Sequence, residues 1–305
     1  MAPAGGIGGR EASSPQAGTA MAAPPEPLPR EAFDSHCHLD IMGAPVPDVL
    51  AAARAVGITR VVTIGCDLPS SRWAAQCAAD HDGVYGAVAI HPNETAKAAR
   101  SAPRASSDAV PAETVPADAV PAETVLAEIG ALAALPQVRA VGETGLDYYR
   151  DQAGPAVQQA WFRAHIEIAK RSGKALVIHD RDAHDDVLRI LEEEGPPQNV
   201  VFHCFSGDEQ MARRCAAAGY VLSFAGNVTF ASAQSLRDAV CAAPAEAILV
   251  ETDAPFLTPV PNRGKPNAPS LVPYTLRCIA ELKGMAVSEL CALITATGER
   301  VFGPW

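Results

Sequence analysis

A rhythm of short β-rich runs limits how this chain can fold more than any other feature. Eight of them recur: EAFDSHCHL, RVVTIGC, VYGAVAIH, VRAVGETG, KALVIHD, NVVFHCF, YVLSFAG and AILVETD. Most lead into a stretch with helical spacing. Val157, Trp161, Ala164 and Ile168 fall on one helical face, and Gly173 follows as a stop. Asp208 is placed to cap a helix carrying Met211 and Cys215 that stops at Gly219, and Ser232 to cap another carrying Leu236 and Val240. Strands alternating with helices predict a parallel sheet of the α/β class, and eight of them predict a closed (β/α)8 TIM barrel. An open doubly wound sheet is the alternative, but no G-x-G-x-x-G follows the first run.

The chain has 305 residues, enough for a sizeable core, and 48% hydrophobic with 19% charged residues fits a soluble globular protein. Residues 31–305 are expected to form one barrel domain. Residues 1–30 are rich in Ala, Pro and Gly and cannot bury enough surface to offset their ordering entropy, so they read as a disordered extension. They lack a basic start and a leucine-rich stretch, which predicts no signal peptide and a cytoplasmic protein. No apolar run is long enough to span a bilayer. Residues 98–124 lie between the third run and the helix leading to the fourth and carry a repeat, AVPAETV at 109–115 and again at 119–125. Their prolines oppose a helix and their alanines and carboxylates offer no core face, so they read as a low-complexity surface insertion.

Eight cysteines form no C-x-x-C pair and read as reduced thiols. A net charge of −11 argues against broad, nonspecific duplex binding. A local nucleic-acid site stays open, because bound cations can reverse the sign inside a pocket. No obligate protein partner is indicated, and a monomer is expected.

Metal-binding side chains gather at the ends of these runs: DSHCHLD, GETGLDYY, IHDRDA, FHCFSG and ETDAP. In a barrel these ends meet at the face where active sites are built. Along a strand Asp34, His36 and His38 share one side, as do Glu251 and Asp253. The deeper Asp34 and Glu251 are expected to orient the ligands above them. One histidine at a strand end is usually structural, but His36, His38, His179 and His203 all sit there, half of the eight in the chain, with Glu143 and Asp253. Imidazoles with two carboxylates suit zinc, manganese, iron or cobalt, with magnesium a further candidate. Six ligands exceed one tetrahedral ion and suit two divalent metal ions about 3.5–4 Å apart.

The ordered motifs resemble the TatD family of metal-dependent deoxyribonucleases, among the amidohydrolase-like TIM barrels. They run from about Phe33 to Phe302: D-x-H-x-H, HPNE, GETGLDYY, HDRDA, HCFSG, ETDAPFL and RGKPNAP. The resemblance implies one metal held by His36, His38, Glu143 and Asp253. It implies a second held by Glu143, His179 and His203, with Glu143 as the bridge. Related hydrolases often bridge with a carboxylated lysine, where this chain supplies a glutamate. Pro266 and Thr297 stand where the family often has Arg or Lys and Asn.

Two cations lower the pKa of a water between them, so hydroxide is available near neutral pH. Asp253 is placed to accept its proton as general base, with Glu143 as the other catalytic carboxylate. Arg181 and Arg150 are candidate phosphate contacts, and His91 is placed to touch substrate or to make a structural hydrogen bond. The leading expectation is a 3′–5′ exonuclease acting on DNA at single-stranded ends. A carboxylic-ester hydrolase, for instance a D-aminoacyl-tRNA deacylase, would need the same site. A non-enzymatic metal-binding scaffold is the third reading.

Overall fold

A computed structural model describes residues 24–99, 121–150 and 153–304. Eight parallel strands form one sheet in chain order, as the rhythm of runs predicts. They are β1 (Ala32–Cys37), β2 (Ile58–Gly65), β3 (Val84–Val88), β4 (Val138–Asp147), β5 (Ala175–Arg181), β6 (Val200–Phe202), β7 (Val221–Phe224) and β8 (Ile248–Val250). Helices α1 (Val46–Ala55), α2 (Leu68–Asp80), α3 (Thr95–Ala99), α4 (Ala122–Ala133), α5 (Pro155–Ser172), α6 (His184–Glu194), α7 (Glu209–Ala217), α8 (Gln234–Ala242), α9 (Val272–Lys283) and α10 (Val287–Phe302) lie between and after them. Cys37 bridges Ala254 in parallel fashion just beyond β8, which closes the sheet into a (β/α)8 TIM barrel. Phe33, Phe202, Phe224, Ile178 and Leu176 are among its fully buried side chains. Among the described residues no helix is long and apolar enough to cross a membrane.

Local chemistry explains the helix ends. Helix α5 opens with Pro155, whose fixed φ suits a first turn, and closes on Gly173 at φ 65°. The Asp208 side chain accepts from Met211 N at 2.9 Å and caps α7. Ser232 does not cap α8. The tight turn in which Ala233 N donates to Phe230 O puts Ala233 in the capping position, one residue later, with no side-chain cap.

Two expected boundaries shift. Leu28 is buried and its N–H donates to Val56 O, and Arg277 donates to the carbonyls of Glu26 and Pro27. The barrel therefore takes in the last part of the 1–30 extension, because Leu28 supplies an apolar anchor there. Helix α4 likewise claims Ala122, Glu123 and Thr124 behind Pro121, which marks its N-terminus rather than preventing it. Residues 1–23 and 100–120, on which the remainder of those two expectations falls, lie outside the described residues.

The strands β6 and β8 are shorter than their runs, three residues each. His203 and the stretch Glu251–Asp253 stand just past the strand ends, not on them. The backbone turns out of the ladder with φ 41° at Cys204 and 53° at Asp253. Such angles are costly for residues with a Cβ and persist where the surroundings dictate them.

The GETG of β4 has a packing reason. A Cβ on Gly145 would lie 2.1 Å from His179 O, and Gly145 sits at φ 134°. A Cβ on Gly142 would lie 2.5 Å from the Val177 Cβ. These two positions let β4 press against β5 and bring Glu143 beside His179. Gly145→Ala should therefore cost about 2 kcal/mol or more, seen as a fall in melting temperature of about 4 °C or more. Gly130, inside α4 with open space around it, is the control: Gly130→Ala should gain about 0.5–1 kcal/mol. Equal melting temperatures for the two variants would show that the β4–β5 contact is not tight.

Candidate metal centre

Glu143 lies at the middle of the polar cluster on the barrel's C-terminal face. Its Oε2 is 3.0 Å from His36 Nε2 and 2.9 Å from His203 Nε2. Its Oε1 is 2.8 Å from His91 Nε2 and 3.8 Å from His179 Nδ1. Asp253 Oδ1 is 3.7 Å from His36 Nε2 and 3.5 Å from His38 Nε2. The rings of His36 and His203 stack with centroids 3.8 Å apart. Three overlapping groups have ligand atoms within 4.8 Å of one another: His36, His38 and Glu143; His36, His203 and Asp253; His91, Glu143 and His179. The six residues singled out from the sequence thus meet in one cluster. His91 joins them beside the outer oxygen of Glu143, and His203 faces the same oxygen as His36.

Buried polar atoms are normally hydrogen-bonded, because an unmet one forfeits its solvation. Here His36 Nε2 and Glu143 Oε2 are buried, 3.0 Å apart, and neither makes a hydrogen bond. Lone pairs of two donors directed at shared space suit a cation. The donor set, imidazole nitrogen with carboxylate oxygen, suits a divalent transition metal.

A second ring of groups holds the imidazoles. Glu251 Oε1 lies 3.2 Å from His203 Nδ1 and accepts from Cys204 N at 2.9 Å. Asp147 Oδ2 lies 3.4 Å from His179 Nε2, which leaves His179 Nδ1 facing the centre. Asn93 donates to that same Asp147 oxygen, and the N–H groups of Tyr149 and Arg150 donate to the other. Gln158 grips the Asp147 backbone in both directions. Asp34 acts on backbone rather than on a ring. It accepts from His36 N, Thr252 N and the Thr252 hydroxyl. Asn267, from RGKPNAP, donates to the carbonyls of Thr252 and Phe256 and so clamps the turn that carries Asp253. His165 has no part in the cluster. It accepts from Ile90 N and braces the end of β3, and burial lowers its pKa to about 4.

Charge coupling sets the protonation. Burial works to raise Glu143, but His203 and His91 outweigh it and hold the carboxylate well below its usual range. Burial lowers His36 and His179, helped by neighbouring His203 and His91 respectively. Burial also opposes charge on His203, yet Glu143 and Glu251 raise it well above the ordinary value. His38 is raised against burial by Cys66 and Asp253. Cys66 is itself pushed up to about 11 by burial and is a neutral thiol at pH 7, so Asp253 is the effective partner. Burial pushes Asp34 up to about 7, against the hydrogen bonds from Thr252.

Arg181 ends β5, and its guanidinium carbon sits 3.8 Å from the Tyr149 ring centroid. Among the described residues it has no carboxylate partner; the neighbouring Asp180 bonds His184 at 2.8 Å instead. Arg150 is exposed, and its hydrogen bond to Asp147 comes from the backbone. Asp147, Asn93, Cys66 and Asn267 also serve the cluster without being singled out by strand-end spacing. Three of these stand inside quoted motifs, so a signal existed: Asp147 closes GLD at a strand end, as a ligand would.

A family model described as TatD related DNase matches residues 33–303. A metal-dependent hydrolase TatD of Mycobacterium tuberculosis is 43% identical, covering 88% of this chain and 97% of its own. The metal-dependent hydrolase YabD of Bacillus subtilis is 36% identical, covering 88% and 98%. Among solved structures, the TatD homologue YjjV of Escherichia coli superposes with a TM-score of 0.76 at 23% identity, covering 90% of this chain and 98% of its own. At that identity the superposition speaks for the fold.

Divalent cations bind neutral imidazole nitrogen. In the metal-free chain His38 and His203, with raised pKa values, hold protons at pH 7. A cation bound there should displace about two protons per chain, and its apparent affinity should rise as pH increases from 6 to 8. Titration calorimetry in two buffers of different ionisation enthalpy measures the release. No release at pH 7 would mean that these imidazoles are not the groups displaced.

Proposed function

The chain belongs to the TatD related DNase family and is a metal-dependent hydrolase, and from that premise we propose that it cleaves phosphodiester bonds of DNA. The proposed activity is that of a 3′–5′ exonuclease on single-stranded ends. The observation that carries the reading is Glu143 at the centre of four histidines: His36 and His203 face its Oε2, His91 and His179 face its Oε1, and His203 Nε2 lies 3.3 Å from His179 Nδ1 and so stands between the two groups. One carboxylate shared in this way suits two divalent ions. In this proposal His36, His38, Asp253 and Glu143 hold one, and Glu143, His179 and His203 hold the other.

Held there, two such ions, whether Zn, Mn, Mg, Fe or Co, would supply an acidified water near neutral pH and would offset charge on the phosphoryl oxygens. The protein's own residues do the rest. Asp253 accepts the water proton at Oδ1. Burial would raise this carboxylate, but His38 and His36 keep it low and ionised, ready to act as a base. Glu251 and Asp147 fix the rings of His203 and His179. Arg181, free of carboxylates among the described residues, holds a phosphate oxygen through its planar fork. His91 keeps one oxygen of Glu143 in place and faces the substrate side.

The deciding experiment offers purified, metal-loaded protein single-stranded DNA blocked at either end, and a D-aminoacyl ester. Loss of turnover with the 3′ block alone supports the proposal. Turnover of the ester without turnover of DNA would overturn it in favour of a carboxylic-ester hydrolase.

Glu143→Gln should weaken both ions at once, while His179→Ala should mainly weaken one. Metal content by mass spectrometry after dialysis separates them. Two ions retained at wild-type affinity in Glu143→Gln would sink the bridging role.

Arg181→Lys keeps charge and loses the fork. It should leave metal content and melting temperature unchanged and slow an oligonucleotide roughly tenfold, equal to about 1.4 kcal/mol of transition-state binding. A small activated phosphodiester should suffer less. Equal slowing of both substrates with a lower melting temperature would assign Arg181 to structure.

A further inference from the structure

The polar centre sits inside an apolar rim. Among the described residues the exposed large hydrophobic side chains are Ile41, Trp73, Leu135, Tyr149, Phe256 and Val260. Four of these six follow the C-terminal ends of β1, β4 and β8, around the metal cluster. Two are aromatic. Phe256 is 47% exposed, with its ring centroid 6.1 Å from that of His38. Tyr149 is 65% exposed, two residues past Asp147, which holds His179. In a closed barrel of eight strands in order, β4 and β8 stand opposite each other. The two rings therefore flank the centre from opposite sides.

An aromatic ring left half in water beside a buried cluster of charges calls for a ligand that is charged in the middle and flat at the sides. A nucleotide strand has that form. The chain's charge strengthens the case. At −11 the protein repels a polyanion at long range, so it lacks the broad electrostatic term that usually carries affinity. Local contacts must replace it, and stacking on aromatic side chains is worth about 1–3 kcal/mol per base whatever the base. Among the described residues the Tyr149 ring carries only the Arg181 guanidinium, on one face, and its other face is the one proposed for a base. The Phe256 main chain is fixed at the base of the ring: its N–H donates to Asp253 O and its carbonyl accepts from Asn267. The ring is a preset platform joined to the turn that carries Asp253.

Building on the phosphodiesterase reading, we propose that Phe256 and Tyr149 are base-stacking platforms that flank the scissile phosphate, one base on each ring. They set the preference for single-stranded, base-bearing ends, since a base inside a duplex has both faces stacked on its neighbours and its edge held by its pair.

The test crosses enzyme variants with substrates that lack one base. Single-stranded oligonucleotides would carry an abasic residue at the terminal or at the penultimate position, with the phosphodiester chemistry unchanged. Wild-type kcat/KM should fall roughly tenfold or more on losing either base. Phe256→Ala should lose a similar factor on the intact strand and nothing further when one of the two bases is missing. Tyr149→Ala should show the same insensitivity at the other position. Phe256→Trp should restore activity on the intact strand, and melting temperature and metal content should match wild type. Equal slowing of every substrate by Phe256→Ala would assign the ring to bracing Asp253 and overturn the proposal. So would a wild type indifferent to missing bases. Failure of the wild type to cleave any of these strands would instead strike the phosphodiesterase reading itself.

Discussion

The barrel's closing seam governs both the fold and the site. Between β1 and the end of β8 the backbone bonds are few: Asp253 N to His36 O at 2.9 Å, and His38 N to Ala254 O at 2.8 Å. Below them the Asp34 carboxylate takes the place of a strand, accepting Thr252 N and the Thr252 hydroxyl. The residues that lock the last strand to the first are therefore those whose side chains form the polar cluster. A change that opened the seam would move His36, His38 and Asp253 together. Fold stability and site geometry are linked here through the same few bonds.

That arrangement is costly in isolation. Glu143, Glu251, Asp34 and the imidazoles of His36, His38 and His203 are withdrawn from water, and His36 Nδ1 and Nε2, Glu143 Oε2, His179 Nε2 and Glu251 Oε2 find no hydrogen bond. Asp253, Cys204 and Asp182 hold backbone angles that side-chain-bearing residues seldom adopt. All three lie where the chain leaves a strand toward the same face. The apolar layers beneath, with Phe33, Phe202 and Phe224 fully buried, supply the stability that tolerates this strain. A stable lower barrel holding a strained upper rim follows the division of labour common to this architecture.

Much of this was legible in the sequence because it depends on local pattern. Alternating runs mark a barrel whatever the exact strand ends are. Strand-end clustering places His36, His38, Glu143, His179, His203 and Asp253 on one face without any coordinates. The rest depends on distances that no spacing encodes. Asp147 meets His179 across the β4–β5 register, and Cys66 comes near His38 only because β1 pairs with β2. His91 was legible as a candidate, but its approach to Glu143 depends on the three-dimensional packing of β3 beside β4. Glu251 and Asp253 both reach the cluster histidines as alternation predicts, but β8 ends at Val250 and the turn at Asp253, not a strand, sets those directions. Ser232 fails as a cap because sequence spacing cannot tell a cap from a residue inside the turn that precedes it.

The acidic balance of the chain, which argues against broad duplex binding, takes on a further meaning once the cluster is in view. Several of the carboxylates that make the chain anionic are those that face histidines at the centre: Glu143, Asp147, Glu251 and Asp253. Divalent ions bound among them would turn a negative pocket positive over a few ångströms, while the remaining surface stays anionic. Screening at physiological salt confines each field to about 8 Å. A long duplex would meet mostly repulsion, whereas a strand end would meet only the pocket. On the phosphodiesterase reading, this contrast in charge favours ends over long duplex, and stacking on Phe256 and Tyr149 adds the preference for unpaired bases; neither needs a base-specific contact.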